Sequence, residues 1–519
     1  MSRGFHRLRG AVGSALPSER FGDHLAILAG TGQNVLGLAV FVLATFGTNV
    51  LIARVLGEAA LGVVTLATQL AFIGGAANRF GMDVAATRRV AIDLGKEEPG
   101  RARGVVNRAV SIAGLVSLAA GLGLFLAAAP LSRGLTGDAS SRTAFQAAAA
   151  ALPFVALSQV YLGATRGLKV MRHTLYIYWA GQPLLWIALM VGGWVAARTV
   201  GASVVAYGGS WLLATAAAAY VWRRETERFP RLPSEPGEVG ALLRYGAPRA
   251  PAALLAQGLF WADYFVLSLF VSPQELGVYA ATVRVAQALV LFLIAVNYMF
   301  SPFVADLHAR GERDRLDGLY KALTRWVLAA TIPLLLLLII LPGPVLLLFG
   351  GEFDAGTTAL RILLAGQFVN MATGSVGFIL IMVGRTGWDL VVYAATFVLD
   401  VAVALLLAPK LGAEGAAIAQ SLTLTLSKVA RVYLVWRFVR IQPFNRHYFR
   451  LGIPALAGGV VMLATHLVLR GAAWPVDLAV SGLSGTIAYV TVLVAAGLTP
   501  TERATVRRVL SRSPAASES

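Results

Sequence analysis

Cysteine is absent from this sequence, which rules out disulfides, thiolate metal ligands and a cysteine nucleophile. Charge is scarce as well. Asp, Glu, Lys and Arg make up 13% of the 519 residues, against about 25% in an ordinary soluble domain. Acid is scarcer than base, with 26 Asp and Glu against 44 Lys and Arg and a formal net charge of +18. The pattern GxxxxGK[ST] does not occur, which excludes a pump driven through that type of phosphate-binding loop. What is abundant is apolar surface: 57% of the residues are hydrophobic and the mean hydropathy is +0.71. A chain of that composition belongs in a lipid bilayer.

A helix that crosses the ~30 Å hydrocarbon layer needs about 20 mostly apolar residues. Fourteen such windows recur, near 26–52, 61–81, 105–129, 144–165, 174–197, 202–222, 248–270, 276–302, 326–349, 357–383, 388–408, 414–436, 451–469 and 477–498. The expected fold class is therefore an all-α polytopic membrane protein. The basic stretch MSRGFHRLRGAVGSALPSER precedes an apolar run longer than the core of a signal peptide, about 7–15 residues, so that run is expected to remain as the first span.

The distribution of the basic residues sets an orientation. With the N-terminus placed inside, the inside segments hold 32 of the 44 Lys and Arg, and the outside loops hold six. This positive-inside asymmetry predicts that both termini face the cytoplasm, and it directs the basic charge to anionic head groups rather than to nucleic acid. Arg79, Arg108 and Arg431 lie near enough to helix ends to snorkel toward water.

The longest connection, 223–247, is charged and rich in Pro and Gly and reads as a linker between two halves. Laying 55–71 over 270–286 at an offset of 215 pairs Leu61 with Leu276, Gly62 with Gly277 and Ala71 with Ala286. Laying 199–210 over 410–421, at an offset of 211, pairs Gly201 with Gly412, Ala206 with Ala417 and Ser210 with Ser421. An offset of six helices, an even number, relates the halves by an axis along the membrane normal. The expected organisation is a cytoplasmic segment 1–25, a first six-helix lobe 26–222, the linker 223–247, a second lobe 248–436, two extra helices within 437–498, and a cytoplasmic tail 499–519.

Four stretches carry a family resemblance: ARVLGEAALGVVTLATQLA, the hairpin with a mid-helix Asp followed by SPQELGVYAATVRVAQAL, ALRILLAGQFVNMATGSVGFILIMVGRT, and APKLGAEGAAIAQSLTLTL. They resemble Wzx-type polysaccharide (O-antigen) flippases of the multidrug/oligosaccharidyl-lipid/polysaccharide exporter superfamily, in family order along essentially all the spans. The resemblance implies two pseudo-symmetric lobes around a central cavity and translocation of a polyprenyl-diphosphate-linked oligosaccharide across the bacterial inner membrane. A transporter rather than an enzyme is expected, because the longest outside loop, around 350–356, is short and has Glu352 and Asp354 as its only acids, and no cofactor is expected. Its expected partners are the lipid-linked substrate, membrane lipids, and a polysaccharide polymerase and glycosyltransferases. At position 400, where this family often has asparagine, the chain has Asp400.

Asp263 and Arg284 stand out as candidate site residues, because a charge near a helix centre costs on the order of 3 kcal/mol and usually faces protein or a wet cavity. They lie at similar distances from the turn of their hairpin. One reading is a structural ion pair that locks the hairpin. The other has the Arg284 guanidinium attract the diphosphate while Asp263 orients it or exchanges a proton or cation. Asp400 is a second candidate for such coupling. Gln33, Asn34, Gln69 and Arg79 are further candidates for cavity lining, although most amides in such spans are interhelical hydrogen-bond partners. Rival functions are a lipid II flippase and a cation-coupled multidrug exporter of the same superfamily.

Overall fold

The computed structural model describes residues 32–95, 98–138, 141–168, 170, 172–230, 237–246, 249–383 and 385–497. Among these there is no strand. The first half contains α1 (Gly32–Leu56), α2 (Glu58–Asn78), α3 (Met82–Gly95), α4 (Pro99–Leu126), α5 (Ala128–Thr136), α6 (Arg142–Gly167), α7 (Thr174–Trp194) and α8 (Val200–Glu225). The second contains α9 (Glu238–Gly246), α10 (Arg249–Leu267), α11 (Pro273–Gln287), α12 (Val290–Ala309), α13 (Arg313–Ile340), α14 (Pro342–Leu346), α15 (Thr357–Thr373), α16 (Val376–Met382) and α17 (Thr386–Val439). Then come α18 (Arg446–Phe449), α19 (Gly452–Val468) and α20 (Trp474–Val492).

Local chemistry marks several helix starts. Ser272 caps α11 by accepting from the Glu275 N–H at 3.3 Å, with Pro273 at the first helical position. Thr199 caps α8 by accepting from the Ala202 N–H at 3.1 Å. Between α2 and α3 the chain turns through Phe80 and Gly81, both at positive φ. The segment 82–104, read as a polar inside connection, thus contains the amphipathic helix α3, which packs on α4 and α6. The linker likewise contains α9, held to α4 by the Glu238 carboxylate and Arg108 at 3.3 Å. Arg108 therefore has a protein partner where snorkelling was expected.

Nine helices among the described residues are long and apolar enough to cross a membrane, and the bent pair 351–373 and 376–382, meeting at 47°, makes ten. The fourteen expected windows outnumber these partly because α17 is one hydrogen-bonded run that kinks at Gly412 (φ 54°, ψ −132°), where two spans were expected. Glu275 fills that kink: its Oε1 accepts from the Ala413 N–H at 2.9 Å, tying the start of α11 to the joint.

The helices form two lobes. In the first, α6 is central and packs against α2, α3, α4 and α8; in the second, α17 packs against α10, α15 and α16. The extra helices α19 and α20 pack on each other and against α13. The lobes meet most closely where α2 crosses α11. There Gly62 and Gly277 leave no room for a side chain: a Cβ on Gly62 would collide with the Pro273 carbonyl, and one on Gly277 with the Glu58 carbonyl. Glu58 and Pro273 are themselves related by the offset of 215, so this contact is reciprocal about the repeat axis, as in an isologous interface. Small residues allow such backbone approach between membrane helices.

Other bonds cross the seam at this glycine end. The Tyr264 hydroxyl donates to the Gly62 carbonyl at 3.0 Å, Arg54 Nε donates to the Leu348 carbonyl at 2.9 Å, and Phe46 meets Phe349 edge-on at 5.3 Å. One buried apolar cluster accordingly draws residues from both lobes. Toward the opposite end the buried clusters divide, one lying within the first lobe and others within the second lobe and its added helices.

Candidate functional site

Asp263 and Arg284 do not pair. Among the described residues neither makes an ion pair with the other, and helix rotation explains why. Tyr279, not Arg284, faces Asp263, and five residues of α-helix turn a side chain by about 140°. The Tyr279 hydroxyl donates to Asp263 Oδ2, while Oδ1 has no hydrogen-bond partner. On α10, Trp261 lies about 200° round from Asp263, and Arg284 stacks over its ring at 4.8 Å. The hairpin is also loosely closed, since α10 packs chiefly against α17 and α11 chiefly against α2.

Asp263 turns toward α17, which carries Asp400. Both carboxylates are 1% exposed. Asp400 Oδ1 accepts from the Thr423 hydroxyl at 3.0 Å, and its Oδ2, like Asp263 Oδ1, has no partner. The two carboxylates lie within electrostatic reach of each other. No Lys, Arg or His pairs with either among the described residues. Two buried carboxylates on adjacent helices, each with one oxygen unmatched, are costly unless protons or a cation balance their charge. The sequence singled out Asp263 and Asp400 separately; Tyr279 and Thr423 were missed because hydroxyls in apolar helices usually bond their own backbone.

Arg284 occupies a different place. It lies seven residues after Gly277, which is two turns, about 10 Å, along nearly the same face of α11. Gln69 has the same relation to Gly62 on α2. Both half-buried side chains thus border the seam between the lobes, beyond the glycine contact. Besides the Trp261 ring, Arg284 has Gln287 Oε1 at 3.4 Å from Nη1, and its Nε is unpartnered. A guanidinium held by an aromatic face, with no carboxylate partner among the described residues, keeps its donor fork for an incoming acceptor.

The other candidates separate from this site. Arg79 sits at the far end of α2 and pairs with Asp83 at 3.3 Å. Gln33 and Asn34 fall on α1, but their side chains lie outside the described residues. Arg431, expected to snorkel, is instead buried at 4% exposure, binds Asp389 at 2.8 Å and lies over the Tyr393 ring at 4.3 Å.

The profile of the polysaccharide biosynthesis protein family matches residues 27–308, and the MatE profile matches residues 248–406. Two curated relatives come from Haloferax volcanii. "Probable flippase AglR" is 27% identical over 267 residues, covering 49% of this chain and 53% of the relative. "Probable low-salt glycan biosynthesis flippase Agl15" is 21% identical over 183 residues, covering 35% and 39%. The chain thus spans about half the length of the first relative and less of the second. The solved structure of the lipid II flippase MurJ in an inward closed conformation shares the fold, with a TM-score of 0.71 at 13% identity, covering 92% of this chain and 99% of that one. The two-lobed bundle, its seam and a profile match over more than half of the 519 residues lead to one assignment: the chain belongs to the polysaccharide biosynthesis protein family.

Proposed function

We propose that the protein flips a polyprenyl-diphosphate-linked oligosaccharide across the bacterial inner membrane, for surface polysaccharide assembly, by alternating access between its two lobes. The observation that carries this reading is Arg284: a seam-facing guanidinium, stacked on Trp261 and without a carboxylate partner among the described residues. A diphosphate is the kind of group its donor fork fits. The profile match and the printed names of the relatives support a glycan substrate.

With both termini cytoplasmic, the glycine end faces outward and the separated cores face the cytoplasm. The lobes, 26–222 and 248–436, are then closed outside and able to receive the diphosphate and sugars from inside, while the polyprenyl tail stays in lipid. Basic residues at the inner rim, Arg79, Arg88 and Arg166 among them, attract the anionic head group. Opening requires the Gly62 and Gly277 contact to separate. The carboxylates Asp263 and Asp400 are the coupling site, where a proton or a monovalent cation binds. Because Tyr279 bonds Asp263, and Tyr264, stacked on Tyr279 at 6.2 Å, bonds Gly62 across the seam, a change at the carboxylates has a short route to the outer contact.

The test is export of the glycan by Arg284 variants at matched protein level. Arg284→Ala is expected to abolish export, and Arg284→Lys to retain part of it, because charge survives and the planar fork does not. Wild-type export by the Ala variant would remove Arg284 from the mechanism.

A further inference from the structure

The first lobe presents a wall of aromatic rings that the mechanism above does not use. Phe41 meets Trp179 edge-on at 5.0 Å, Tyr178 meets Trp179 at 4.8 Å and Trp211 at 5.9 Å, and Trp211 meets Phe72 at 6.4 Å. Trp211 is buried and forms the backing, whereas Phe41, Phe72, Tyr178 and Trp179 are half-buried. The wall borders the seam. Phe72 follows Gln69 by three residues on the same side of α2, and α1, which carries Phe41, packs against α11 and α12 of the second lobe.

Two features distinguish this wall from ordinary core. Tyr178 and Trp179 sit in a π-helical opening of α7, Thr174–Gly181. Its wider turn sets neighbouring rings on one side, where both reach Phe41; such turns are rare and frequent at functional sites. The buried Trp211 indole N–H, moreover, faces the Tyr207 hydroxyl and has no other hydrogen-bond acceptor among the described residues. Three positions in and behind the wall have no aromatic counterpart in the second lobe. The repeat offsets place Gln287 opposite Phe72, Ile418 opposite Tyr207 and Leu422 opposite Trp211. The guanidinium thus belongs to the second lobe and this wall to the first.

A pyranose ring matches that wall chemically. Its C–H face is weakly positive and is attracted to the negative face of an aromatic ring, while its hydroxyls can accept from an indole N–H or bond the Gln69 amide. We propose that Tyr178, with Phe41 beside it and Phe72 across Trp211, forms a carbohydrate-stacking subsite for the sugar next to the diphosphate. This rests on the reading that the substrate is a diphosphate-linked glycan and adds the place where its first ring is recognised.

The experiment measures binding of two probes to the purified full chain by tryptophan fluorescence: a polyprenyl diphosphate carrying one N-acetylhexosamine, and the same lipid without sugar. Wild type is expected to prefer the sugar-bearing lipid about tenfold, which corresponds to roughly 1.4 kcal/mol. Tyr178→Leu should erase that preference and leave binding of the sugar-free lipid intact, and Tyr178→Phe should keep it. If Tyr178→Leu does not fold, Phe41→Leu on the neighbouring helix reads the same preference. Retention of the preference in the Leu variant, or its absence in wild type, overturns the subsite. Arg284→Ala separates the two ideas: unchanged binding of the sugar-free lipid by that variant, alongside a preference lost in Tyr178→Leu, would sink the diphosphate assignment and leave the stacking subsite standing.

Discussion

At the scale of single residues, the informative feature is which polar groups remain unmatched after burial. Asp263 and Asp400 each satisfy one oxygen through a hydroxyl and leave the other without a partner. Replacing either by Asn removes the charge that a proton or cation would balance while nearly preserving shape. Asp263→Asn and Asp400→Asn are each expected to lower glycan export about tenfold or more, a loss of at least ~1.4 kcal/mol in the limiting step, without weakening equilibrium binding of the diphosphate lipid at Arg284. Binding and export measured on the same preparations check this, and full export by both variants would exclude the carboxylates from coupling. Both positions were visible in the sequence because acid in an apolar run is conspicuous. Their hydroxyl partners were not, since a Tyr or Thr in a membrane helix has no distinctive pattern until the helix rotation is known.

At the scale of elements, the joints between helices rest on a few polar contacts. The Asp389 and Arg431 pair links the two arms of α17, with the Arg431 guanidinium also donating to the Ser427 hydroxyl. Removing one partner leaves an uncompensated buried charge, so Asp389→Ala is expected to destabilise by about 3–5 kcal/mol, whereas Asp389→Leu combined with Arg431→Met should be close to neutral. Thermal unfolding in detergent distinguishes the two; equal losses would show that the pair is not what joins the arms. The loose α10 and α11 hairpin makes a related point. Sequence proximity put Asp263 and Arg284 at one depth, and the packing of the two helices onto different neighbours turned them apart.

At the scale of the whole molecule, the seam is joined at the glycine end and its buried cores divide beyond it. The lack of cysteine makes this directly testable, because introduced pairs have no background. Phe46→Cys with Phe349→Cys places thiols across the contact at the glycine end, where the native rings are 5.3 Å apart. Cross-linking them with a short thiol reagent that is cleavable by reductant is expected to stop export, and reduction to restore it. Undiminished export by the fully cross-linked protein would mean that the lobes need not part at that end.

Composition and pattern by themselves determined the membrane class, the helical fold, the two-lobe repeat and the candidate charges. These are properties of single helices and of their order, and the hydrophobic effect and the cost of burying charge write them into local sequence. Even the reciprocal glycine contact had its trace in the pairing of Gly62 with Gly277. Only the tertiary structure decided which side each charge faces. Helix rotation, the neighbour each helix packs against, the kink at Gly412 and the π turn in α7 all depend on contacts between segments remote in sequence. For that reason the Asp263 and Arg284 pair dissolved, Asp263 turned toward Asp400, and an aromatic wall gathered from α1, α2, α7 and α8, helices whose separate sequences give no sign of it.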